Sequence, residues 1–257
     1  MVLRELKNLL SFLTIFPVAM DEHMLTDCAN AMWSFPLIGA FLGLIAGGFG
    51  WLVFNFVPGI VVGGLVLGVL LLLTGLHHTD GLLDFGDGVM AHGTPEHKIE
   101  VMHDQLTGAG GLSLGMMTIL ISALALGQLY TFGLSKVVLL IGAVVVVETS
   151  AKLSMVIMAW AGKSIHEGMN SPFLKAMHGG KGNLRLIVAL LVSVAVAILL
   201  LHWAGVFTIL AAVITSLVMT GVAQRNFKGV TGDVFGATNE ITRMVCIVVF
   251  LAVAAWA

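Results

Sequence analysis

The chain has 257 residues, of which 58% are hydrophobic and 10% charged, and its formal net charge is −2. Soluble domains carry roughly 25% charged residues, so this composition excludes an ordinary soluble protein and predicts an integral membrane protein. The charge argues against a nucleic-acid partner. The two cysteines, Cys28 and Cys246, support neither a disulfide framework nor a cysteine metal site.

The N-terminal segment, residues 1–31, predicts an amphipathic helix that lies at the membrane interface. Leucines recur at helical spacing, at Leu3, Leu6, Leu10 and Leu13. Arg4, Lys7 and Asn8 lie off this stripe. A cleaved signal peptide is the alternative, but no small-residue cleavage site follows the apolar part. We therefore expect the helix to be retained.

Seven segments further along the chain are apolar enough to cross a bilayer, which takes about 20 mainly apolar residues. They are Met32–Phe56, Ile60–Leu76, Leu112–Phe132, Val137–Trp160, Leu186–Trp203, Val206–Val222 and Ile241–Ala257. The predicted fold is all-α, a polytopic helical bundle of about seven transmembrane helices that forms one membrane domain over residues 1–257.

The connections between these segments predict the orientation in the membrane. Residues 77–111, 161–185 and 223–240 are long and polar, and with seven spans all three fall on one side. That side holds Lys98, Lys163, Lys175, Lys181, Arg185, Arg225, Lys228 and, at its edge, Arg243. The opposite side offers Lys136. The positive-inside rule then predicts a cell-membrane protein with the long loops in the cytoplasm.

An acidic stretch, LLTGLHHTDGLLDFGDG at residues 72–88, follows the second span. If that span continues as one helix, Asp80, Asp84 and Asp87 are spaced i, i+4 and i+7 and share one face. No lysine or arginine lies between Leu76 and His97 to neutralise them. A divalent cation is the expected counter-charge, and oxygen ligands favour Mg²⁺, with Mn²⁺ as the alternative.

Two other interpretations of this stretch stay open. A transition metal could bind the neighbouring histidines, His77, His78, His92, His97 and His103, although no HExxH motif occurs. A solvated acidic helix end would explain the aspartates without any ligand. Gly81, Gly86 and Gly88 favour a site, because glycine is unfavourable in a helix but allows a backbone to approach a ligand closely.

The same loop contains a second acidic pair, Glu100 and Asp104, four residues apart. Asp104 could complete a metal shell or act as a general base. The glycines that follow, Gly108, Gly110 and Gly111, could offer backbone N–H groups to a phosphate at the start of the third span.

Polar residues near the C-terminus form a third group. Arg225 and Lys228 are candidates for phosphate contacts, or they only fix topology. Thr231, Asp233, Asn239 and Glu240 offer oxygens and an amide. Within the fourth span, Glu148 and Lys152 are four residues apart, and charges at that depth indicate a mutual ion pair, a cavity wall, or both.

The stretch TGLHHTDGLLDFGDG at 74–88 resembles the signature of the cobalamin synthase (adenosylcobinamide-GDP ribazoletransferase) family, approximately TGGLHxDGLADxxDG. Further agreement comes in order from FLTIFPV at 12–18, VMHDQLTGAGG at 101–111 and KGVTGDVFGATNE at 228–240. The chain departs from the family pattern in three places. Leu76-His77 replaces Gly-Leu, and Phe85-Gly86 replaces Thr-Ala. MHDQLTG occupies the place of a segment close to MKDSRIG. It is identified as a divergent member.

The resemblance implies a transferase that joins adenosylcobinamide-GDP to α-ribazole, or its 5′-phosphate, and releases GMP. It implies a metal on Asp80, Asp84 and Asp87, with Asp104 as a further ligand or as the base and His78 as the other candidate base. Phosphate contacts would come from Lys152, Arg225 and Lys228. Gly81, Gly88, Gly108, Thr231, Asp233, Asn239 and Glu240 would contact the nucleotide or the acceptor.

Two rival functions are weighed against this one. A lipid-headgroup phosphotransferase of the CDP-alcohol type would show DGxxAR, whereas this chain has DGLLDF. A secondary transporter for a divalent metal would place its coupling site near the bilayer midplane. The expected partners are the two substrates and the lipid bilayer, and a homo-oligomer stays open.

Overall fold

The computed structural model describes residues 2–16, 24–131, 137–165 and 168–255, and these are mostly helical. The helices are α1 (Val2–Leu13), α2 (Met24–Asn30), α3 (Phe35–Val53), α4 (Gly59–Leu73), α5 (His77–Met90), α6 (Pro95–Met102), α7 (Ala109–Thr131), α8 (Val137–Ala161), α9 (Ser171–His178), α10 (Gly182–Phe227) and α11 (Gly232–Ala254). The all-α prediction is confirmed. Phe132, Lys136 and Ala257 lie outside the described residues.

Five helical stretches are long and apolar enough to cross a membrane. They are Met32–Val53, Ala109–Tyr130, Leu139–Ala161, Gly182–Phe227 and Gly232–Ala254. A sixth arises if α4 and α5, which meet at a 95° bend, count as one broken span. The multi-pass prediction is therefore confirmed, and the expected number of seven is approximate.

The count of five or six spans takes α10 as one helix, although α10 contains a break. Counting its two halves separately adds one span. Its 46 residues would extend about 69 Å at 1.5 Å per residue, over twice the bilayer core. His202 has non-helical angles, φ 52° and ψ −132°. Because a Cβ on Gly205 would collide with the Ala197 carbonyl, the two halves pack closely against each other beside this break. We treat α3, α7, α8, both halves of α10 and α11 as the spanning segments, and α4 as the membrane part of the broken pair α4–α5.

Helix α8 forms the centre of the bundle and packs against α3, α10 and α11. Its membrane-length stretch is almost entirely buried. Small residues bring the neighbouring backbones close, because a Cβ on Gly39 or Gly43 of α3 would overlap the backbone of Glu148 or Val145. The charged residues of α8 therefore lie deep inside the protein.

The connections between helices gather at two opposite ends of the bundle. At one end the rings of Phe54 and Tyr130 lie 6.3 Å apart. At the other end the long connections are joined by hydrogen bonds: Lys98 Nζ to Asn226 Oδ1 (2.8 Å), Val230 N to Lys163 O (2.8 Å) and Arg185 Nη2 to Asn30 Oδ1 (2.7 Å). We call this second end the polar end.

The prediction that the second span continues as one helix through the aspartates is wrong. Helix α4 ends at Leu73, and Gly75 and Leu76 both adopt left-handed angles, φ 61° and 62°. Two consecutive left-handed residues cannot continue a right-handed helix. The aspartates therefore lie on a separate helix, α5, which we place outside the spanning segments.

The amphipathic helix at the N-terminus forms as predicted, while its position at the membrane interface stays a prediction. Asp27 of α2 holds it in place, because Arg4 Nε lies 2.7 Å from Asp27 Oδ2 and Asn8 Nδ2 donates to the same oxygen at 3.0 Å. The expectation that Asn8 lies off the buried stripe is wrong. Asn8 is 1% exposed because its amide serves this buried carboxylate.

Candidate active site

Helices α5 and α11 bring four carboxylates together at the polar end. The spacing of Asp80, Asp84 and Asp87 keeps them on one face of α5. Asp233 joins them from the first turn of α11, because a Cβ on Gly81 would lie 2.9 Å from Asp233 Cα. We call these four residues the acidic cluster. Three of its members were predicted as a unit, and Asp233 was assigned to substrate instead.

The acidic cluster is electrostatically strained. Burial, followed by the negative charges of Asp80, Asp233 and Asp87, raises the pKa of Asp84 to about 7. Like charges at short range disfavour the ionised form of each carboxylate. A bound cation would relieve this repulsion.

Asp87 also links α5 to the start of α7. Its Oδ2 accepts the Gly108 N–H at 2.7 Å, and its Oδ1 accepts the Gly111 N–H at 2.8 Å. A carboxylate is favourable at a helix N-terminus, and a Cβ on Gly108 would lie only 2.5 Å from Asp87 Oδ1. The expectation that the Gly108 and Gly111 N–H groups are available to a phosphate is therefore wrong, since Asp87 accepts both of them, while a phosphate contact of the Gly110 N–H stays a prediction.

The acidic cluster fits a hard divalent cation in its donor chemistry, because it supplies carboxylate oxygens. Within the described ranges, no three histidine, cysteine, aspartate or glutamate side chains are already grouped as a finished metal site. Side-chain rotation of Asp80, Asp84 and Asp233 could complete one. Asp87 keeps lone pairs beside its two hydrogen bonds and could contribute as well. Magnesium stays a prediction.

Asp104 and its neighbour His103 differ in their relation to the acidic cluster. Asp104 is exposed, and its Oδ1 accepts the Leu106 N–H at 3.1 Å. His103 Nε2 lies 3.7 Å from Asp233 Oδ2. The structure thus brings His103 to the cluster, a residue that the sequence indicated only as one of five histidines open to a transition metal. The ligand or base role of Asp104 stays a prediction.

A cavity of about 520 Å³ opens beside the acidic cluster, with Asp80 and Asp233 in its wall. His78 lines it as well and is 8% exposed, and its buried Nδ1 has no hydrogen-bond partner among the described residues. Burial, followed by the positive charges of Lys152 and Arg243, lowers the pKa of His78. Burial therefore favours the neutral form of this imidazole.

Behind the cavity lies a buried network of five polar residues: Glu148, Lys152, Asn239, Glu240 and Arg243. Arg243 donates to Glu148 and Glu240, Lys152 Nζ donates to Asn239 Oδ1 at 2.6 Å, and Asn239 Nδ2 donates to Glu240 Oε1 at 3.0 Å. The predicted Glu148–Lys152 ion pair is wrong, because Glu148 pairs with Arg243. Arg243 is likewise not a loop-edge cation, since its side chain is fully buried.

This buried network supplies hydrogen-bond and ion-pair partners to three residues that are predicted to contact substrate. Lys152, Asn239 and Glu240 are each at most 2% exposed. The two carboxylates and the two cations of the network balance in charge, which lowers the free-energy cost of burying them. Direct substrate contacts by these three residues stay a prediction, and the network explains their presence without one.

The remaining predicted residues also lie at the polar end, some exposed and some buried. Arg225 and Lys228 are exposed at the end of α10, where Lys228 adopts a left-handed conformation with φ 65°. Thr231 caps α11, since its Oγ1 accepts the Val234 N–H at 3.4 Å. Gly81 and Gly88 pack against Asp233 and against the Lys98 carbonyl. Helix packing explains both glycines, and their contact with substrate stays a prediction.

Membrane-length helices that gather a carboxylate cluster and a partly apolar cavity at one end define a polytopic membrane protein with an acidic cavity. The CobS family model, described as cobalamin-5-phosphate synthase, matches residues 5–251. The chain belongs to this family, which confirms the resemblance seen in its motifs.

Similar proteins carry one shared name, adenosylcobinamide-GDP ribazoletransferase. The protein of that name from Methanococcoides burtonii is 31% identical over 249 residues, covering 95% of this chain and 90% of the relative. The one from Methanosarcina barkeri is 31% identical over 251 residues, with the same coverage. The one from Methanocella arvoryzae is 33% identical over 265 residues, covering 98% of this chain and 97% of the relative. No solved structure matches the chain.

Proposed function

We propose that the protein is an adenosylcobinamide-GDP ribazoletransferase of cobalamin biosynthesis. It transfers the adenosylcobinamide phosphate moiety of adenosylcobinamide-GDP to α-ribazole, or to α-ribazole 5′-phosphate, and releases GMP. The family membership supports this reaction. The observation that carries it is the acidic cluster beside a small-molecule cavity at the polar end.

The proposed reaction is a displacement at phosphorus. A ribose hydroxyl oxygen of the acceptor attacks the phosphorus on the cobinamide side of the pyrophosphate. The bond from that phosphorus to the bridging oxygen breaks, and GMP leaves with the bridging oxygen. The hydroxyl proton passes to a base, for which His78 and Asp104 are the two candidates. The position of His78 in the cavity wall supports His78.

The acidic cluster would hold magnesium through Asp80, Asp84, Asp233 and the remaining lone pairs of Asp87. When bound, the ion offsets the negative charge that develops on the leaving phosphate. The chain itself contributes placement: Asp87 fixes α5 against α7, and the approach of Gly81 to Asp233 fixes α5 against α11. These contacts hold carboxylates from two helices in one place.

We further propose that the active site faces the cytoplasm in the cell membrane. The polar end carries Lys98, Lys163, Lys175, Lys181, Arg185, Arg225 and Lys228, and lysine and arginine concentrate in cytoplasmic loops. This location also argues against a transporter, whose coupling sites lie near the bilayer midplane. The deep charges Glu148 and Arg243 are paired with each other.

The activity is tested with purified protein in lipid vesicles supplied with adenosylcobinamide-GDP, α-ribazole and Mg²⁺, by measuring GMP. Asp84→Asn should lower GMP release by about 100-fold or more, since it removes an electrostatic group of the site. Glu96→Gln, which changes an exposed acid on α6, is the matched control and should retain the wild-type rate. Absence of GMP with wild-type protein would overturn the activity, and full activity of Asp84→Asn would overturn the role of the cluster.

A further inference from the structure

The cavity beside the acidic cluster has many aromatic and apolar residues in its wall. Phe12 and Phe173 stack with ring centroids 5.3 Å apart, and Phe35 meets Phe173 edge-on at 6.0 Å. Four methionines complete this part of the wall: Met24, Met32, Met155 and Met169. Thioethers contact aromatic rings favourably and adapt to their shape. This wall suits a flat, apolar aromatic group.

The same cavity also has polar residues in its wall. His78, Asp80 and Asp233 line it, together with Asn170, whose Nδ2 donates to the Val230 carbonyl at 2.7 Å. The carboxylates of Asp80 and Asp233 can accept hydrogen bonds from a hydroxyl-bearing ligand.

We propose that this cavity binds the acceptor nucleoside, with its base between the phenylalanines and methionines and its ribose toward His78 and the acidic cluster. The inference rests on the proposed function and assigns one of its two substrates to a site. The base of α-ribazole is a benzimidazole, which is flat and poor in hydrogen-bonding groups, whereas its ribose is rich in hydroxyls. The ligand and the cavity wall therefore both combine an apolar aromatic part with a polar part.

Size also favours the nucleoside over the corrinoid substrate. The cavity measures about 520 Å³, within the range of roughly 300–1,000 Å³ that is typical of small-molecule sites. A corrin ring with its side chains and nucleotide is much larger than a nucleoside and cannot be enclosed there. The acceptor would thus enter the cavity, and the pyrophosphate of the other substrate would reach the acidic cluster from outside it.

This assignment gives the N-terminal helices a direct role in recognition. Phe12 of α1 and Met24 of α2 form part of the base wall, and Phe173 of α9 completes the aromatic group. The ion pair between Arg4 and Asp27 holds α1 against α2, so it also shapes this wall.

Cavity-filling substitutions test the proposal. Met24→Trp places a larger ring in the cavity, and Met169→Trp does so from a residue that is 67% exposed and tolerates substitution in the fold. Thr26→Trp, at an exposed position of the same helix α2, is the matched control. Dissociation constants are measured by calorimetry, separately for α-ribazole and for adenosylcobinamide-GDP, and GMP release by the wild type is measured in parallel.

We expect Met24→Trp and Met169→Trp to raise the dissociation constant for α-ribazole by about tenfold or more. The constant for adenosylcobinamide-GDP should change less than about twofold, and Thr26→Trp should change neither. An unchanged α-ribazole constant in both cavity variants, or a raised constant for adenosylcobinamide-GDP instead, would overturn the assignment. Wild-type GMP release would still support the proposed function in that case, and its absence would count against the function itself.

Discussion

At the scale of single residues, Arg243 is a buried cation that is paired with two carboxylates. It is fully buried and donates to both Glu148 and Glu240. Removing one partner of a buried ion pair leaves an uncompensated charge and costs about 3–5 kcal/mol. We therefore expect Arg243→Met to lower the melting temperature in detergent by about 10 °C. The exposed Arg225→Met is the control, and an equal melting temperature for both variants would contradict the network.

The hydrogen bonds of Asp87 give a second prediction at this scale. Gly108→Ala places a methyl group against Asp87 Oδ1 and should displace that carboxylate. We expect GMP release to fall by about tenfold, as for other groups that orient ligating side chains. Gly180→Ala is the matched control, because nothing lies within 4 Å of its Cβ position. Equal rates for the two variants would show that Asp87 is not positioned by this contact.

The residues that the sequence predicts as a site are those with a local pattern. Asp80, Asp84 and Asp87 share one helix, so their spacing alone places them on one face. Asp233 reaches them only through the packing of α11, and Arg243 meets Glu148 across 95 positions of the chain. No periodicity encodes such a contact, which is why Lys152 was expected to pair with Glu148.

At the scale of helices, the break between α4 and α5 sets the direction of the acidic helix. Gly75 has φ 61°, and a Cβ there would be strained and would lie 3.2 Å from His77 Nε2. We expect Gly75→Ala to cost about 1–2 kcal/mol and to lower both the melting temperature and GMP release. Gly68→Ala is the control in α4, where nothing lies within 4 Å, and it should be neutral or stabilise the helix by up to about 1 kcal/mol. Equal melting temperatures and rates for the two variants would contradict this account.

The break itself was not predicted from the sequence. TGLHH contains one glycine, and Leu76 adopts φ 62° although leucine disfavours that region. Tertiary packing of α5 against α7 and α11 outweighs the local preference at this position. The break in α10, by contrast, was predicted. The sequence near His202 already indicated a boundary between two apolar segments.

At the scale of the whole molecule, hydropathy predicted the membrane bundle well because a spanning helix is recognised from its own residues. The cavity could not be predicted in the same way. Its aromatic wall combines Phe12, Phe35 and Phe173, which come from distant parts of the chain. Its location at the polar end follows from topology, since the connections there bring α1, α2, α5, α9 and the start of α11 together.

This topology makes a prediction about sidedness that cysteine labelling checks. Glu96→Cys and Lys181→Cys place thiols at exposed positions of the polar end, and Phe56→Cys and Trp203→Cys place them at the opposite end. The native Cys28 and Cys246 are both buried, so they give a low background. A maleimide that cannot cross membranes should label the first pair only in inside-out vesicles and the second pair only in right-side-out vesicles. Labelling of Trp203→Cys on the same side as Glu96→Cys would show that the break in α10 is not a turn between two spans. It would then also remove the argument that the polar end as a whole faces the cytoplasm.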